Sequence, residues 1–278
     1  MFGDTPGERR LAGMVAKIDA VDPTAAAPLD PGETGDELAG LAQRICAIHR
    51  HSPPRLNRRL LLMCAADHGT ATGDEPTGGS WTAQRVSSFL EGKGAVNTVG
   101  RSAGLPVRLL DVGVAGELDP HPGLIRRAVA PGTGAVHEGP AMSREQAVEA
   151  LLAGYDALME HDNNRSMDLI GVGCVSAGGL IPALLLASRL AGVGPEALLE
   201  RAGDRSDVLQ LALDRHADVL ADGTALELAC AVGGFDIAAM AGIYPAAAPC
   251  HMATVVGGPA PTTAALPAAR LCPAVPGY

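Results

Sequence analysis

Short apolar runs alternate with stretches of helical periodicity along most of this chain. Apolar runs of strand length occur at 60–66, 107–114, 167–172 and 252–256, and continuous apolar runs of this length are typical of strands buried on both faces. Helical patterns are predicted at 9–18, 36–49, 81–92, 95–103, 143–160, from about 180, and at 205–221, 224–232, 236–247 and 262–272. This alternation predicts an α/β fold, with a doubly wound, mostly parallel, Rossmann-like sheet covered by helices on both faces.

The two ends of the chain differ from its middle. Residues 1–58 combine two predicted helices with the Pro/Gly/Asp-rich link DPTAAAPLDPGETG, and they are predicted to form the N-terminal helical part of a small domain. Residues 59–278 are predicted to form the α/β core domain. The final CPAVPGY, with two prolines, predicts a loose tail.

Charge and cysteine usage restrict the class of function. The 278 residues carry 21 Lys and Arg against 31 Asp and Glu, which argues against a nucleic-acid partner because binding phosphates requires clustered cations. The six cysteines are widely spaced without a C-x-x-C pair, a pattern typical of a reducing cytoplasm, and we expect no metal site. No segment reaches the roughly 18 apolar residues of a membrane span, so we expect a soluble, cytoplasmic protein without a membrane partner.

The loops after predicted strands are the first places to search for a site, because ligands of open parallel sheets bind beyond the carboxyl ends of the strands. The first loop, ADHGTATGDEPTGGSWTAQ, places Asp67 and His68 directly at a strand end. An imidazole there is suited to acid–base work or to hydrogen bonding with a substrate. The alternative, with similar weight, is that Asp67 and His68 pin the loop to the edge of the sheet.

The second loop lies in LIGVGCVSAGGLIPALLLA, residues 169–187. Its glycines, including Gly173, Gly178 and Gly179, permit close backbone approach, and the following helix offers free N–H groups to an anion, so we expect phosphate. Tight packing between helix and strand is the alternative explanation for the glycines. Cys174 suggests a nucleophile, but no partner histidine is evident, so a buried, inert thiol is favoured.

Two further glycine turns follow. One, in VGGFDIAAMAGIY, places Gly234 at a predicted helix start, and the other, in VVGGPAPTT, ends the last predicted strand at Gly257. The three turns together are predicted to surround a sugar phosphate.

Several blocks around these loops resemble the nicotinate-nucleotide:dimethylbenzimidazole phosphoribosyltransferases of cobamide biosynthesis. They are AADHGTATG, TAQRVSSFLEGKGAVNTVGRSAG, VRLLDVGVAGEL, PGTGAVHEGPAMSREQAVEALLAG, MDLIGVGCVSAGG and VGGFDIAAMAGIY, in the order of the family. The resemblance implies a parallel-sheet domain with a small helical appendage from the chain termini, usually as a homodimer. It also implies transfer of ribose 5-phosphate from nicotinate mononucleotide to a benzimidazole nitrogen, without a cofactor. Ser80 and Gln84 would lie at the acceptor, and Gly173, Gly178 and Gly179 near the phosphate.

The sequence departs from the family at several of these positions. Cys174 stands where a glutamate is expected, Ser176 replaces a glycine, and Gly179 begins a triplet that replaces Asn-Thr-Thr. The chain also ends where the family continues into H-R-S-A-E-P-G-H, which holds its catalytic glutamate, so we expect a divergent, shortened member. Loss of a general base costs about 10²- to 10⁴-fold in rate.

The nearest substitute acid–base groups are His68, Asp67 and Glu75. Two functions are therefore weighed. One is a divergent transferase that uses nicotinate mononucleotide, or a related nucleotide, and an aromatic acceptor, with adaptation to specialised metabolism as a variant. The other is a noncatalytic subunit or small-molecule binding protein that assembles with a full-length paralogue.

Overall fold

A computed structural model describes residues 2–26, 36–71, 79–162 and 167–278. Its five strands form one sheet in the order β3-β2-β1-β4-β5, and every neighbouring pair is parallel. The strands are β1 (Arg59–Asp67), β2 (Val107–Gly113), β3 (Leu124–Arg126), β4 (Leu169–Ala177) and β5 (Ala253–Val256). The predicted α/β class with a parallel sheet is confirmed. Strand β3 was not predicted because three residues are too few to set a periodicity.

Twelve α-helices occupy the described residues. They are α1 (Pro6–Val15), α2 (Asp36–His49), α3 (Gly79–Leu90), α4 (Ala95–Ser102), α5 (Arg144–His161), α6 (Leu180–Ala191), α7 (Pro195–Ala202), α8 (Ser206–Arg215), α9 (Ala217–Asp222), α10 (Ala225–Val232), α11 (Phe235–Ala247) and α12 (Pro259–Leu271). Helix α1 begins three residues earlier than predicted, because Thr5 and Glu8 form a capping box. The prediction of a single helix at 205–221 is wrong, because the helical segment divides at His216. The Nε2 of His216 lies 2.8 Å from the Val136 carbonyl oxygen.

Helices cover both faces of the sheet, as a doubly wound fold requires. The even-numbered residues of β1, such as Leu62 and Cys64, pack with α5 and α11 in the larger core. The odd-numbered Met63 and Ala65 pack against α3, where Val86 and Phe89 are buried. Because side chains alternate across a strand, this pattern places α3 and α11 on opposite sides of the strand that ends at Asp67.

The two ends of the chain pack onto this core. Arg10 and Glu8 of α1 form ion pairs with Asp156 and Arg144 of α5. The expected loose tail is wrong: Tyr278 is 8% exposed, and its hydroxyl donates to the Asp19 carbonyl at 2.9 Å. The apolar and aromatic residues of CPAVPGY therefore dock, despite its prolines. The domain boundary at residue 58 stays a prediction.

Glu8 connects α1 to α5 through a carboxylate with a strongly perturbed pKa. The hydrogen bond from Thr5 outweighs the effect of burial and, with the bond from Arg144, lowers the pKa of Glu8 from 4.5 to about 2. Because the pKa of Glu8 is lower in the folded protein than in the unfolded chain, the ionised carboxylate stabilises the folded protein above about pH 4.5. This contribution is lost as the pH falls towards 2. Glu8→Gln should therefore reduce the hydrogen-exchange protection of α1 at pH 7, and should weaken the loss of protection that the unmodified protein shows on acidification.

The matched control for Glu8→Gln is Glu196→Gln. Glu196 also follows a proline in the first turn of its helix, α7, but it is exposed. Equal loss of α1 protection in both variants would contradict the assigned role of Glu8.

No helix among the residues described is both long enough and apolar enough to cross a membrane.

Candidate active site

The strand order defines a crevice between β1 and β4. The chain runs outward from β1 through β2 to β3 and then returns to place β4 on the other side of β1. Such a reversal opens a ligand site at the carboxyl ends of the two central strands. Asp67 ends β1 beside Ala177, its register partner at the end of β4, so the first two loops predicted from the sequence meet here.

Asp67 is fully engaged in holding this edge together. One carboxylate oxygen accepts the Thr82 hydroxyl at 2.5 Å, and the other accepts the Ala115 N–H at 2.8 Å. Thr82 in turn accepts the Ala177 N–H at 3.2 Å, so α3, β1 and β4 are joined through two side chains. These bonds favour loop pinning for Asp67 over contact with a substrate.

His68 forms a buried pair with Asp236 from the first turn of α11. The imidazole Nε2 lies 3.0 Å from the Asp236 carboxylate, and both side chains are at most 1% exposed. Two glycines make room for the ring. A Cβ at Gly234 would lie 2.1 Å from the ring, and one at Gly179 would lie 3.3 Å from it. The glycine turns at 178–179 and 233–234 thus enclose a histidine.

The buried pair extends to Ser176. Although burial opposes ionisation, attraction to His68 and hydrogen bonds from His68, Ser176 and the Ile237 N–H hold the pKa of Asp236 below its usual value. The charge of a buried carboxylate requires such partners. The pair therefore positions Ser176 near the end of β4.

Strand β4 continues five residues past its predicted end, through most of the expected phosphate turn. Gly173 lies within this strand, where a Cβ would meet the Met63 sulfur at 2.3 Å. Packing between strands therefore accounts for this glycine, and the turn itself is limited to Gly178 and Gly179. A Cβ at Gly178 would lie 2.7 Å from the Ala71 nitrogen, so this glycine permits contact between two loops.

The end of β4 borders an open space of about 460 Å³. Pairing with β5 ends at Val172 and Val256, which leaves the next residues of β4 without a strand on that side. We call this space the α6–α12 cavity; it is lined by Gly173, Cys174, Ser176, Gly179, Leu180 and Gly257, among others. No charged side chain is among its described lining residues. The turns at 178–179 and 257–258 meet here as expected, whereas Gly234 does not contribute.

A second space of about 510 Å³ lies on the α3 side of the same strand end. This α3 cavity is lined by Trp81, Arg85, Ser88, Phe89, Lys93 and Val175, and it shares Cys174 and Ser176 with the first cavity. The Arg85 guanidinium lies 5.2 Å from the centre of the Trp81 ring, a distance typical of a cation–π contact. The two cavities therefore meet at one stretch of β4, with apolar and backbone groups on one side and an aromatic, cationic surface on the other.

Cys174 lies between the two cavities as a protonated thiol. Burial and the neighbouring Asp236 charge raise its pKa to about 12, despite an opposing hydrogen bond from Ser176. A thiolate is the nucleophilic form, so the structure supports an inert thiol here.

The remaining predicted residues have other locations. Ser80 lies in the first turn of α3, and Gln84 is exposed on the same helix and lines neither cavity. Glu75 lies outside the described residues. Sequence reasoning missed Trp81 and Arg85. The signal was a single tryptophan in a chain with 3% aromatic residues.

Comparisons with known proteins agree with this geometry. A family model described as phosphoribosyltransferase matches residues 28–278. The nicotinate-nucleotide–dimethylbenzimidazole phosphoribosyltransferase of Thermus thermophilus is 36% identical over 245 residues, which cover 85% of this chain and 72% of that protein. The Cupriavidus taiwanensis protein of the same name is 35% identical, covering 94% and 78%. A crystal structure of the Thermus thermophilus enzyme superposes with a TM-score of 0.81 at 32% identity, covering 99% of this chain and 81% of that one.

The chain belongs to the nicotinate-nucleotide–dimethylbenzimidazole phosphoribosyltransferase family.

Proposed function

We propose that this protein transfers ribose 5-phosphate from nicotinate mononucleotide, or a related nucleotide, to a ring nitrogen of an aromatic acceptor. The observation that carries the proposal is the junction of the two cavities at Cys174 and Ser176, in a chain of this family. Such a transfer requires a site for the ribose phosphate directly beside a site for a flat ring. One strand end bordered by two cavities meets that requirement.

The α6–α12 cavity is suited to the sugar phosphate. Amides in the first turn of α6 have no partner within the helix and carry the positive end of its dipole. Because Pro182 has no N–H, the available donors in this turn are those of Leu180 and Ile181. Phosphate would then be held by backbone groups alone, since no charged side chain lines the described part of this cavity.

The transfer exchanges one carbon–nitrogen bond for another. The acceptor nitrogen forms a bond to C1′ of the ribose while the bond from C1′ to the nicotinate nitrogen breaks and its electron pair returns to the nicotinate ring. The acceptor then releases its N–H proton to a base. No carboxylate lines the described part of either cavity. We propose that Asp67 and His68 position the strand end, while proton acceptance by Glu75 stays a prediction.

The lack of a carboxylate in the described lining of both cavities supports the second candidate, a noncatalytic subunit or binding protein that assembles with a paralogue. A binding protein needs the two cavities but no base. The homodimeric or heteromeric state of this protein stays a prediction, which light scattering of the purified protein tests. Its cytoplasmic location stays a prediction as well.

Incubation with nicotinate mononucleotide and a panel of benzimidazoles, purines and phenols, followed by mass spectrometry, tests the transfer. Free nicotinate with a ribosylated acceptor is the expected result. Binding of the nucleotide without any product would favour the second candidate.

Gly257→Val should raise the KM for the nucleotide about tenfold or more, which corresponds to about 1.4 kcal/mol of binding energy. Gly257 lines the α6–α12 cavity, and a Cβ there has no neighbour within 4 Å, so the added side chain occupies ligand space without a clash. Gly194→Val is the control, because a Cβ there is equally free but outside both cavities. Unchanged kinetics in Gly257→Val would contradict the placement of the sugar phosphate.

A further inference from the structure

The α3 cavity combines an apolar slot with a cation at its rim. Trp81, Phe89 and Val175 provide aromatic and aliphatic surface, which suits a flat ring, because aromatic rings prefer stacked or edge-to-face contacts with other rings. Trp81 is partly buried and Arg85 is exposed. The guanidinium therefore lies where a ring substituent at the mouth of the slot would reach it.

Among the described residues, the charges at this rim do not cancel. Lys93 forms an ion pair with Glu91 at 2.5 Å, whereas no carboxylate of the described residues lies within 4.0 Å of the Arg85 guanidinium. A guanidinium over an indole ring keeps its N–H donors at the ring edge available to a planar anion. A carboxylate has the matching geometry, since two of its oxygens accept two parallel N–H groups.

We propose that the α3 cavity selects aromatic rings that carry a carboxylate, with Trp81 as the stacking surface and Arg85 as the partner of the carboxylate. This inference rests on the proposed function, which supplies two sources for such a ring: the nicotinate end of the donor, or a carboxylated acceptor. The α6–α12 cavity has no cation to compete for the carboxylate among its described lining.

Fluorescence of Trp81 tests the inference directly, because this chain contains one tryptophan. Nicotinate should quench the emission at concentrations roughly five- to tenfold lower than nicotinamide, its neutral analogue, as expected for loss of a partly exposed ionic contact. Benzimidazole-5-carboxylate compared with benzimidazole gives the second pair. Discrimination in the nicotinate pair alone assigns the cavity to the donor, and discrimination in the benzimidazole pair alone assigns it to the acceptor.

Arg85→Gln should remove the discrimination while leaving the tryptophan in place. Arg201→Gln, an exposed arginine of α7 outside both cavities, should keep it. Equal quenching by nicotinate and nicotinamide in the unmodified protein, quenching by inorganic phosphate alone, or equal effects of the two variants would overturn the inference.

The outcome is separable from that of the proposed function. Arg85-dependent quenching by an aromatic carboxylate, without any ribosylated product, would contradict the transferase function and support the carboxylate site. Product formation, together with unchanged discrimination between carboxylated and neutral rings in Arg85→Gln, would support the transferase function and overturn the carboxylate site.

Discussion

Gly154→Ala should destabilise the protein by at least about 3 kcal/mol, the upper part of the range for an overpacked core. Gly154 lies in α5, and a Cβ there would be 1.9 Å from the carbonyl oxygen of Ala239 in α11. The contact is reciprocal, since a Cβ at Gly242 of α11 would be 1.9 Å from the Leu151 carbonyl oxygen. Both obstacles are backbone atoms, so relief requires the two helices to separate. Urea denaturation followed by circular dichroism measures the loss.

Gly40→Ala is the control for this substitution. Gly40 lies inside α2, and a Cβ there meets nothing within 4 Å. Alanine should stabilise a helix interior by about 0.5–1 kcal/mol relative to glycine. Gly154→Ala at or above the stability of the unmodified protein would show that α5 and α11 do not approach as described.

Asp236→Asn should cost about 3 kcal/mol or more in unfolding free energy, because it leaves His68 buried beside a neutral partner. The pH dependence makes the result specific. Since the pKa of Asp236 is lowered on folding, the pair stabilises above the ordinary aspartate value of 3.8, and its contribution is lost as the pH falls through the lower folded pKa. Urea unfolding from pH 6 to 2 should show this acid loss in the unmodified protein, and a weaker loss in Asp236→Asn.

Asp207→Asn provides the matched comparison for the buried pair. Asp207 also lies in the first turn of a helix, α8, where an acidic side chain interacts favourably with the helix dipole. It is exposed, so its loss should change stability by less than about 1 kcal/mol. Similar effects of both substitutions would reduce the role of Asp236 to a helix-end charge. Loss of transfer activity in Asp236→Asn beyond its loss of folded protein would support the positioning of Ser176.

The sheet was predictable because its strands are apolar runs bounded by polar loops. Strands β1 and β2 match the predicted runs within one residue at each end. The end of β4 was not predictable, because a glycine such as Gly173 is typical of a turn. In the structure this glycine instead leaves space for Met63 of the neighbouring strand β1. Which strand lies alongside, and which of its side chains needs space, depends on register and cannot be inferred from local sequence. Helix α7 was missed although Gly194 and Pro195 mark its start.

The candidate site was predictable at the level of loops and not of side chains. Asp67 and His68 were found from their position after a strand, and the structure shows that both have buried partners. The partner of His68 comes from α11, 168 residues later, and only the fold brings it there. Trp81 and Arg85 belong to a helical pattern that explains their presence without any ligand, so periodicity gave no reason to single them out.

Beyond Val172, β4 is paired with β1 alone, so the backbone N–H and C=O groups of every second residue between Gly173 and Ser176 have no strand partner on the β5 side. Such an edge can accept any chain or molecule with complementary donors and acceptors. In the protein alone, the amides of 173–176 that point away from β1 should exchange with deuterium faster than the amides of 169–172, where the strand is paired on both sides. A molecule bound against this unpaired edge would take the place of the absent strand, and slowed exchange at alternate residues of 173–176 would report its binding.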